Sequence, residues 1–571
     1  MLKPAIQKLR PTAGFVFLVI ALLPMRDQAV RGVPTPAAAK GTQWTMHGGS
    51  PARNMVNLVD RNIPTKWSVY PDEPHFSVKW QAKLGSRSYG SPIISGGKIF
   101  IGTNNENPRN NRDRGEKTDD DPGGPPLDKG IIMCFEESSG KFLWQAVHDK
   151  LASGQVNDWP REGIASTVAA EGNRIWYVSN RAEVVCADVN GFRDGVNDGE
   201  RGEKYLDKSD ADFIWRFDMM AILNVFPHNL AASSPLLVGD RIFVITGNGV
   251  DEGHIKVPFP DAPSFIALDK RTGKLLWKSN LPGKNIMHAQ WSSPAYSVFQ
   301  GVPTVIFAGG DGWIYGLKPE TGEMIWKFDA NPKDSKYELG GKGRKSDFIA
   351  MPVVYKERIY IGTGQDPEHF EGIGHFWCFA PGGKTGDISP ELAVAASDPP
   401  KATPNPNSGV VWHYGGEEQR KFANRDYVFG RTLSTACIVD DVVYIPELAG
   451  YVHCLDANTG KKFWQFDAKS AIWGSCFYVD GKVYLGNEDG DFFVFRHDPK
   501  PETLDEVAES AKEADEKSAK KRRLEVHKLV AKRNLIAKID VDEPIRSTAS
   551  AANGVLYIAT EKSLYAIAVP K

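Results

Sequence analysis

Histidines and carboxylates of metal-ligand type cluster at Asp366, Glu368, His369 and His375. Imidazole beside carboxylate is the donor set that holds Zn²⁺ and related ions. The spacing follows no strong metal motif, however, and a hydrogen-bonded loop accounts for the same residues. A second set is Asp188, Asn190, Asp194, Asn197 and Asp198, with glycines between them. Alternating Asp and Asn oxygens on a tightly turned loop suit a structural Ca²⁺, and the same residue types make Asx turns. Both readings stand, because no Glu occupies the twelfth place of an EF-hand-type loop. The six cysteines include no Cys-x-x-Cys-His haem-attachment motif and no adjacent pair. A net charge of -2, with no long basic stripe interleaved with aromatics, gives no reason to expect nucleic acid as a partner.

The frame that would carry these residues is visible as a repeat. Four segments align without gaps: 134–144, 267–277, 316–326 and 454–464. Each reads as an apolar strand, a turn closed by Gly, and a second strand with Trp four residues after that Gly. Gly at that place fits a turn position with φ > 0. Another hairpin precedes most units, as in 234–245, where Gly-Asp parts two apolar strands. First hairpins are read at 91–101, 166–178, 234–245, 293–307, 351–361, 435–445, 475–485 and 547–558, eight in all. Two hairpins make a four-stranded antiparallel sheet with two apolar faces, and stacking such sheets about an axis buries both.

The expectation is an all-β chain, an eight-bladed β-propeller of four-stranded antiparallel blades over residues 40–571. Its last blade lacks a fourth strand, which 78–84, carrying Trp80, supplies from the other end of the chain. The segment 501–533 breaks the β pattern. It is rich in Ala, Glu and Lys, acidic early and basic late, and reads as a helical insert between the third and fourth strands of its blade. A solvated helix and a protein-docking arm are the two readings of it.

Residues 1–39 read as a signal peptide with a short linker. Lys3, Lys8 and Arg10 precede an uncharged run from Ala13 to Leu23, too short for a bilayer core of about 30 Å. The expectation is export, to the periplasm or the cell exterior, with no transmembrane segment in the mature chain. Oxidising surroundings then make the cysteines relevant. Cys134 and Cys454 occupy the repeat position of Ala267 and Gly316, and Cys186 and Cys378 lie in similar strands. Small buried side chains are the reading there, with a Cys437–Cys476 bridge between neighbouring blades as the alternative.

The recurring unit Ala-x-Asp-x-x-Thr-Gly-x-x-x-Trp resembles the quinoprotein, or PQQ-like, repeat family of β-propellers, over nearly all of the chain after residue 76. The opening Trp44-Thr-Met-His-Gly-Gly-Ser-Pro-Ala-Arg-Asn is similar to exported bacterial PQQ-like repeat proteins. The resemblance implies that the outer-strand residues Trp80, Trp144, Trp215, Trp277, Trp326, Trp412 and Trp464 dock against neighbouring blades. It also implies a geometry in which connections between blades and the middle loop of each blade open on one face. Residues just before each first strand then ring an axial funnel: Arg87, Tyr89, Glu162, His228, His288, Trp291, Asp347, Arg431, Trp473 and Arg546. Enlarged middle loops at 102–130, 247–264 and 362–375 bring His254, Gln365, Asp366, Glu368, His369 and His375 to the same face, which marks it as the binding face.

Two functions follow from the resemblance. One is a binding or scaffold module without catalysis, taking a protein or small-molecule ligand at the funnel. The propeller lipoprotein of outer-membrane protein assembly is of this kind, but this chain has no Cys before Cys134 for a lipid anchor. The other is a dehydrogenase of alcohols or sugars, dependent on pyrroloquinoline quinone (PQQ) and Ca²⁺, with Asp347 or Asp366 as base. Such dehydrogenases typically carry a disulfide between adjacent cysteines. Its absence tilts the expectation towards the binding module, with structural Ca²⁺ as the single cofactor considered and PQQ reserved for the alternative.

Overall fold

The computed structural model describes residues 41–394, 401–421, 423–499 and 515–569. The proposed signal peptide and the first part of the helical insert lie outside them. Eight antiparallel sheets follow one another along the chain: blade 1 (93–149), blade 2 (169–218), blade 3 (236–279), blade 4 (295–329), blade 5 (353–415), blade 6 (437–467), blade 7 (477–540) and blade 8 (550–568). Blade 8 has three strands of its own. Its fourth is Val78–Lys83, paired antiparallel with Ser563–Ala568, so the ring is closed by the two ends of the propeller as the sequence implies.

What joins blade to blade explains the repeat. Trp80, Trp215, Trp277 and Trp412 each lie on the turn glycine of the following blade, Gly140, Gly273, Gly322 and Gly460. Those glycines have φ between +68 and +73°, and a Cβ on any of them would come within 2.4–2.6 Å of an indole ring. Only glycine meets both demands. Trp80, Trp277 and Trp412 also donate Nε1–H to a carbonyl of the following blade, at 2.8–3.0 Å. Apolar faces fill the gaps further in, with Phe265 stacked on Phe307 and Phe328 on Phe379.

A second seam runs around the axis. The backbone N–H just ahead of a first strand donates to the hydroxyl of the equivalent residue in the next blade: Ser91 to Thr167, Thr167 to Ser234, Ser234 to Ser293, then Met351 to Thr435, Thr435 to Ser475 and Ser475 to Thr548, at 2.8–3.3 Å. The girdle pauses where Met351 replaces a hydroxyl residue.

The segment 44–57 is a plug that touches every blade. Trp44 bridges to Ile94 of blade 1, and the Thr45 carbonyl accepts from Ala170 of blade 2. Carbonyls of Pro51 and Ala52 accept from Tyr296 and Val354 in blades 4 and 5. Asn54 pairs with Ile438 of blade 6, Val56 with Tyr478 of blade 7, and the Asn57 amide reaches Ala551 of blade 8. Arg53 covers blade 3: fully buried, its guanidinium donates to the carbonyls of Ser234, Pro235, Pro294 and His47 at 2.8–3.1 Å.

The insert contains a helix, Glu516–Asn534, capped by Asp515, whose carboxylate accepts from the Ser518 N–H at 2.9 Å. Ala519, Val526 and Val530 are buried, and His527 stacks on Phe466 of blade 6 with ring centroids 5.1 Å apart. The helix thus lies against the outer strand of blade 6, with one face covered. No helix among the described residues is long and apolar enough to cross a membrane.

Candidate functional site

A cavity of about 280 Å³ opens on the axis above the plug. The hydroxyl girdle (Thr167, Ser234, Ser293, Thr435, Ser475 and Thr548) and His47 line it from the blades and the plug. Burial, then the charge of Arg53, lowers the pKa of His47 to about 3, so its imidazole is neutral. Aromatic walls come from Tyr89, Trp159, Trp291 and Trp473, and carboxylates from Glu162, Asp366 and Glu368. Among the described residues that line the cavity, Arg546 is the only permanent cation. It stacks over Trp473, 5.1 Å from the ring centroid, and pairs with Glu488 at 2.6 Å and with Glu561. Tyr89 donates its hydroxyl to Glu162, and its ring lies 5.8 Å from that of Trp473. Of the funnel-face residues read from the sequence, Tyr89, Glu162, Trp291, Asp366, Glu368, Trp473 and Arg546 therefore share one cavity, and Arg87 pairs with Glu561 at 2.7 Å.

At one side of this cavity the loop of blade 3 and the connectors before blades 3 and 4 bring three imidazoles together. The ligating nitrogens of His228, His254 and His288 all lie within 4.8 Å of one another. His228 and His288 are buried, and His254 is exposed. The Val250 carbonyl, 2.9 Å from His228 Nδ1, accepts its hydrogen and leaves the lone pair on Nε2, which faces His254 Nε2 at 2.9 Å. Asp366 reaches to 3.6 Å from His288 Nε2, and the His369 ring is roughly parallel to that of His288. Burial lowers the pKa of His228 to about 4 and that of His288 to about 2, the other histidines adding to the second. Both are neutral; the His228 Nε2 lone pair is turned to His254, and neither ring nitrogen of His288 has a hydrogen-bond partner among the described residues.

The remaining candidates have other surroundings. Arg431 is buried, and its guanidinium ties the carbonyls of Gly341, Gly343, His369 and Glu371 together, which holds the blade 5 loop in place. Asp347 is buried behind that loop, paired through its backbone with Gly364; burial, then the nearby Asp366, raises its pKa well above the usual carboxylate range. His375 pairs with His413 at 2.9 Å and stacks near Trp377 within blade 5, apart from the three-histidine cluster. In the Asp188 loop several side chains are engaged with neighbours, while Asn197 Oδ1 is buried with no hydrogen-bond partner among the described residues. Asp188 pairs with Arg174 and accepts from the Asn190 N–H, Asp194 accepts from the Val196 N–H, Asn197 donates to Glu203, and Asp198 lies 3.5 Å from Arg174. All six cysteines are buried and none is in a disulfide, Cys437 and Cys476 included. Sequence reasoning had His254 on the right face without tying it to His228 and His288; the plug it missed altogether.

Fold and site together define an eight-bladed propeller with a funnel stopped at its base by its own N-terminal segment. Residues 196–370 and 402–498 match the family described as outer membrane protein assembly factor BamB. The outer membrane protein assembly factor BamB of Xanthomonas campestris pv. campestris is 24% identical over 199 residues, 34% of this chain and 46% of that protein. Polyvinylalcohol dehydrogenase of Sphingopyxis sp. is 25% identical over 255 residues, 39% of this chain and 38% of the enzyme. The chain thus spans about half or less of the length of the curated relatives it matches. Among solved structures, a europium-containing methanol dehydrogenase has a likeness of fold, with a TM-score of 0.52 at 12% identity over 92% of this chain and 98% of that one. By these matches the chain is similar to the PQQ-like repeat family of β-propellers.

Proposed function

We propose that the chain is an exported recognition propeller, without catalysis of its own, whose funnel receives a cationic group presented by a partner protein. The carrying observation is the lining of the plugged cavity, where aromatic faces of Tyr89, Trp159, Trp291 and Trp473 stand beside the carboxylates Glu162, Asp366 and Glu368. Aromatic faces next to carboxylates favour a guanidinium or an ammonium. The chain's own Arg546, stacked over Trp473 between Glu488 and Glu561, illustrates that chemistry. The basic start and short apolar run of residues 1–39 support export, and the match to an outer-membrane assembly factor supports both an envelope location and a protein partner.

PQQ with Ca²⁺ fits these residues poorly. The quinone carries three carboxylates, whereas the cavity presents three carboxylates of its own and one arginine that is already paired. Ca²⁺ takes six to eight oxygen ligands, whereas the densest donor group at the funnel is made of imidazole nitrogens. Titrating the purified mature protein with an arginine-containing peptide, in parallel with PQQ and Ca²⁺, tests the reading. The peptide is expected to quench tryptophan emission, and Glu162→Gln to weaken it about tenfold, the size of one partly screened charge pair. Stoichiometric uptake of PQQ with dye-linked alcohol oxidation would overturn it.

A further inference from the structure

We propose that His228, His254 and His288 form a binding site for one divalent transition-metal ion of the Zn²⁺ class, with the Asp366 carboxylate as fourth ligand. The argument is independent of what the funnel recognises. Tetrahedral Zn²⁺ with bonds of about 2.0–2.1 Å holds its nitrogens roughly 3.3 Å apart. Here the three candidate nitrogens lie within 4.8 Å of one another, one pair at 2.9 Å, so small side-chain shifts suffice to close around an ion.

Two further observations point to a ligand. Among the described residues, neither ring nitrogen of His288 has a hydrogen-bond partner, although the residue is only 3% exposed. A neutral imidazole has one donor and one acceptor, and burying both unmet is unfavourable unless something else satisfies them. An ion beside Nε2 meets the acceptor. His228, in turn, has its far nitrogen tied to the Val250 carbonyl, the support that a metal-bound histidine ordinarily has. Three nitrogens with one carboxylate select Zn²⁺, Co²⁺ or Ni²⁺ over Ca²⁺ and Mg²⁺, which prefer oxygen. The four ligands come from the connectors before blades 3 and 4 and from the enlarged loops of blades 3 and 5. One ion therefore clamps those loops together at the edge of the funnel, and Asp366, which lines both, couples occupancy to the charge of the cavity.

The full mature chain, stripped with chelator, is equilibrated with Zn²⁺ alone or Co²⁺ alone and assayed by elemental analysis, calorimetry and visible absorption. One ion per chain, a raised Tm and the visible bands of tetrahedral Co²⁺ are expected, with no response to Ca²⁺ or Mg²⁺. His254→Gln changes an exposed side chain and leaves the fold intact by circular dichroism. It should weaken Zn²⁺ by more than about 100-fold, because even the loss of an outer partner costs 10–100-fold. His413→Gln, at the imidazole pair of blade 5, should leave the affinity unchanged. No retention of micromolar Zn²⁺ by the folded chain, or equal affinity in His254→Gln and wild type, would overturn the assignment.

Discussion

Arg53 offers the sharpest test of how the ring is held, because two large terms oppose each other there. Its guanidinium is wholly buried, and burial lowers its pKa to about 9, which still leaves it charged at neutral pH. At about 1.36 kcal/mol per unit, that fall from 12.5 sets an opposing term of about 5 kcal/mol. Against it stand four hydrogen bonds to carbonyls at 2.8–3.1 Å. Bonds from a charged donor contribute about 1.5–3 kcal/mol each, roughly 9 kcal/mol together. The bonds win, by about 4 kcal/mol. Arg53→Met keeps much of the volume, removes the charge and leaves four carbonyls without this donor. It should therefore lower the free energy of unfolding by about 4 kcal/mol in guanidinium chloride followed by tryptophan emission. Arg53→Ala adds a cavity and should be worse. Arg53→Lys, with three donors for four carbonyls, should fall between wild type and Met. An Arg53→Met protein within about 1 kcal/mol of wild type would refute the reasoning, since the plug would then be held by its backbone pairings alone.

Other outcomes follow from the same contacts. Gly322→Ala places a Cβ 2.5 Å from the Trp277 ring at φ +73°, whereas Gly481→Ala has the same φ and nothing within 4 Å. The second should cost about 1–2 kcal/mol for backbone alone and the first about 1–3 kcal/mol more; equal shifts of the urea midpoint would mean that the indole gives way freely. Thr435→Val removes the hydroxyl that accepts from the Met351 N–H and should destabilise by about 1–3 kcal/mol, measured as a Tm shift against the non-girdle control Thr459→Val. Asp311 is buried, accepts from Tyr315 at 2.6 Å and has its pKa raised by burial to about 7. A raised carboxyl pKa gives stability that is present below about pH 4 and lost as the pH climbs towards 7, up to about 4 kcal/mol. Asp311→Asn should thus gain on wild type steadily between pH 4 and 7 and level off above; a constant difference would contradict the assignment.

Most of the ring was readable from sequence because its joints are local and repeated. Gly four residues before Trp recurs because each indole needs a bare, left-handed turn beneath it, and the Ser or Thr ahead of most first strands recurs because its hydroxyl accepts the same inter-blade bond. Val78–Lys83 was readable as the missing strand by the same rule, since Trp80 sits on Gly140 as Trp277 sits on Gly322. The plug obeys no such rule. Between Trp44 and Asn57 successive residues pair with different blades, so no period appears, and the need for a buried arginine arises only once eight carbonyl-bearing edges converge on one axis. In the Asp188 loop the sequence could not show that Arg174, fourteen residues earlier, folds back to pair with Asp188.

The plug also bears on how the family's fold is used here. A propeller ring is symmetrical enough to offer a channel with two mouths, and a ligand on the axis is then approachable from either side. In this chain residues 44–57 fill the base and put His47 beneath the cavity, so access is from the face that carries the enlarged loops of blades 1, 3 and 5. Binding energy at that face depends on loops that the ring itself does not hold rigid. Arg431 clamps the blade 5 loop through the carbonyls of His369 and Glu371 and ties it to Gly341 and Gly343 of the preceding connector. The blade 3 loop is tied at its start through Gly249 and Val250 to Phe226, His228 and His288, while its tip leans on the contact of His254 with His228 and on the turn around Asp251. A metal ion at the three histidines would give the second loop what the arginine gives the first, and the one-sided funnel would then have two fastened lips facing its ligand.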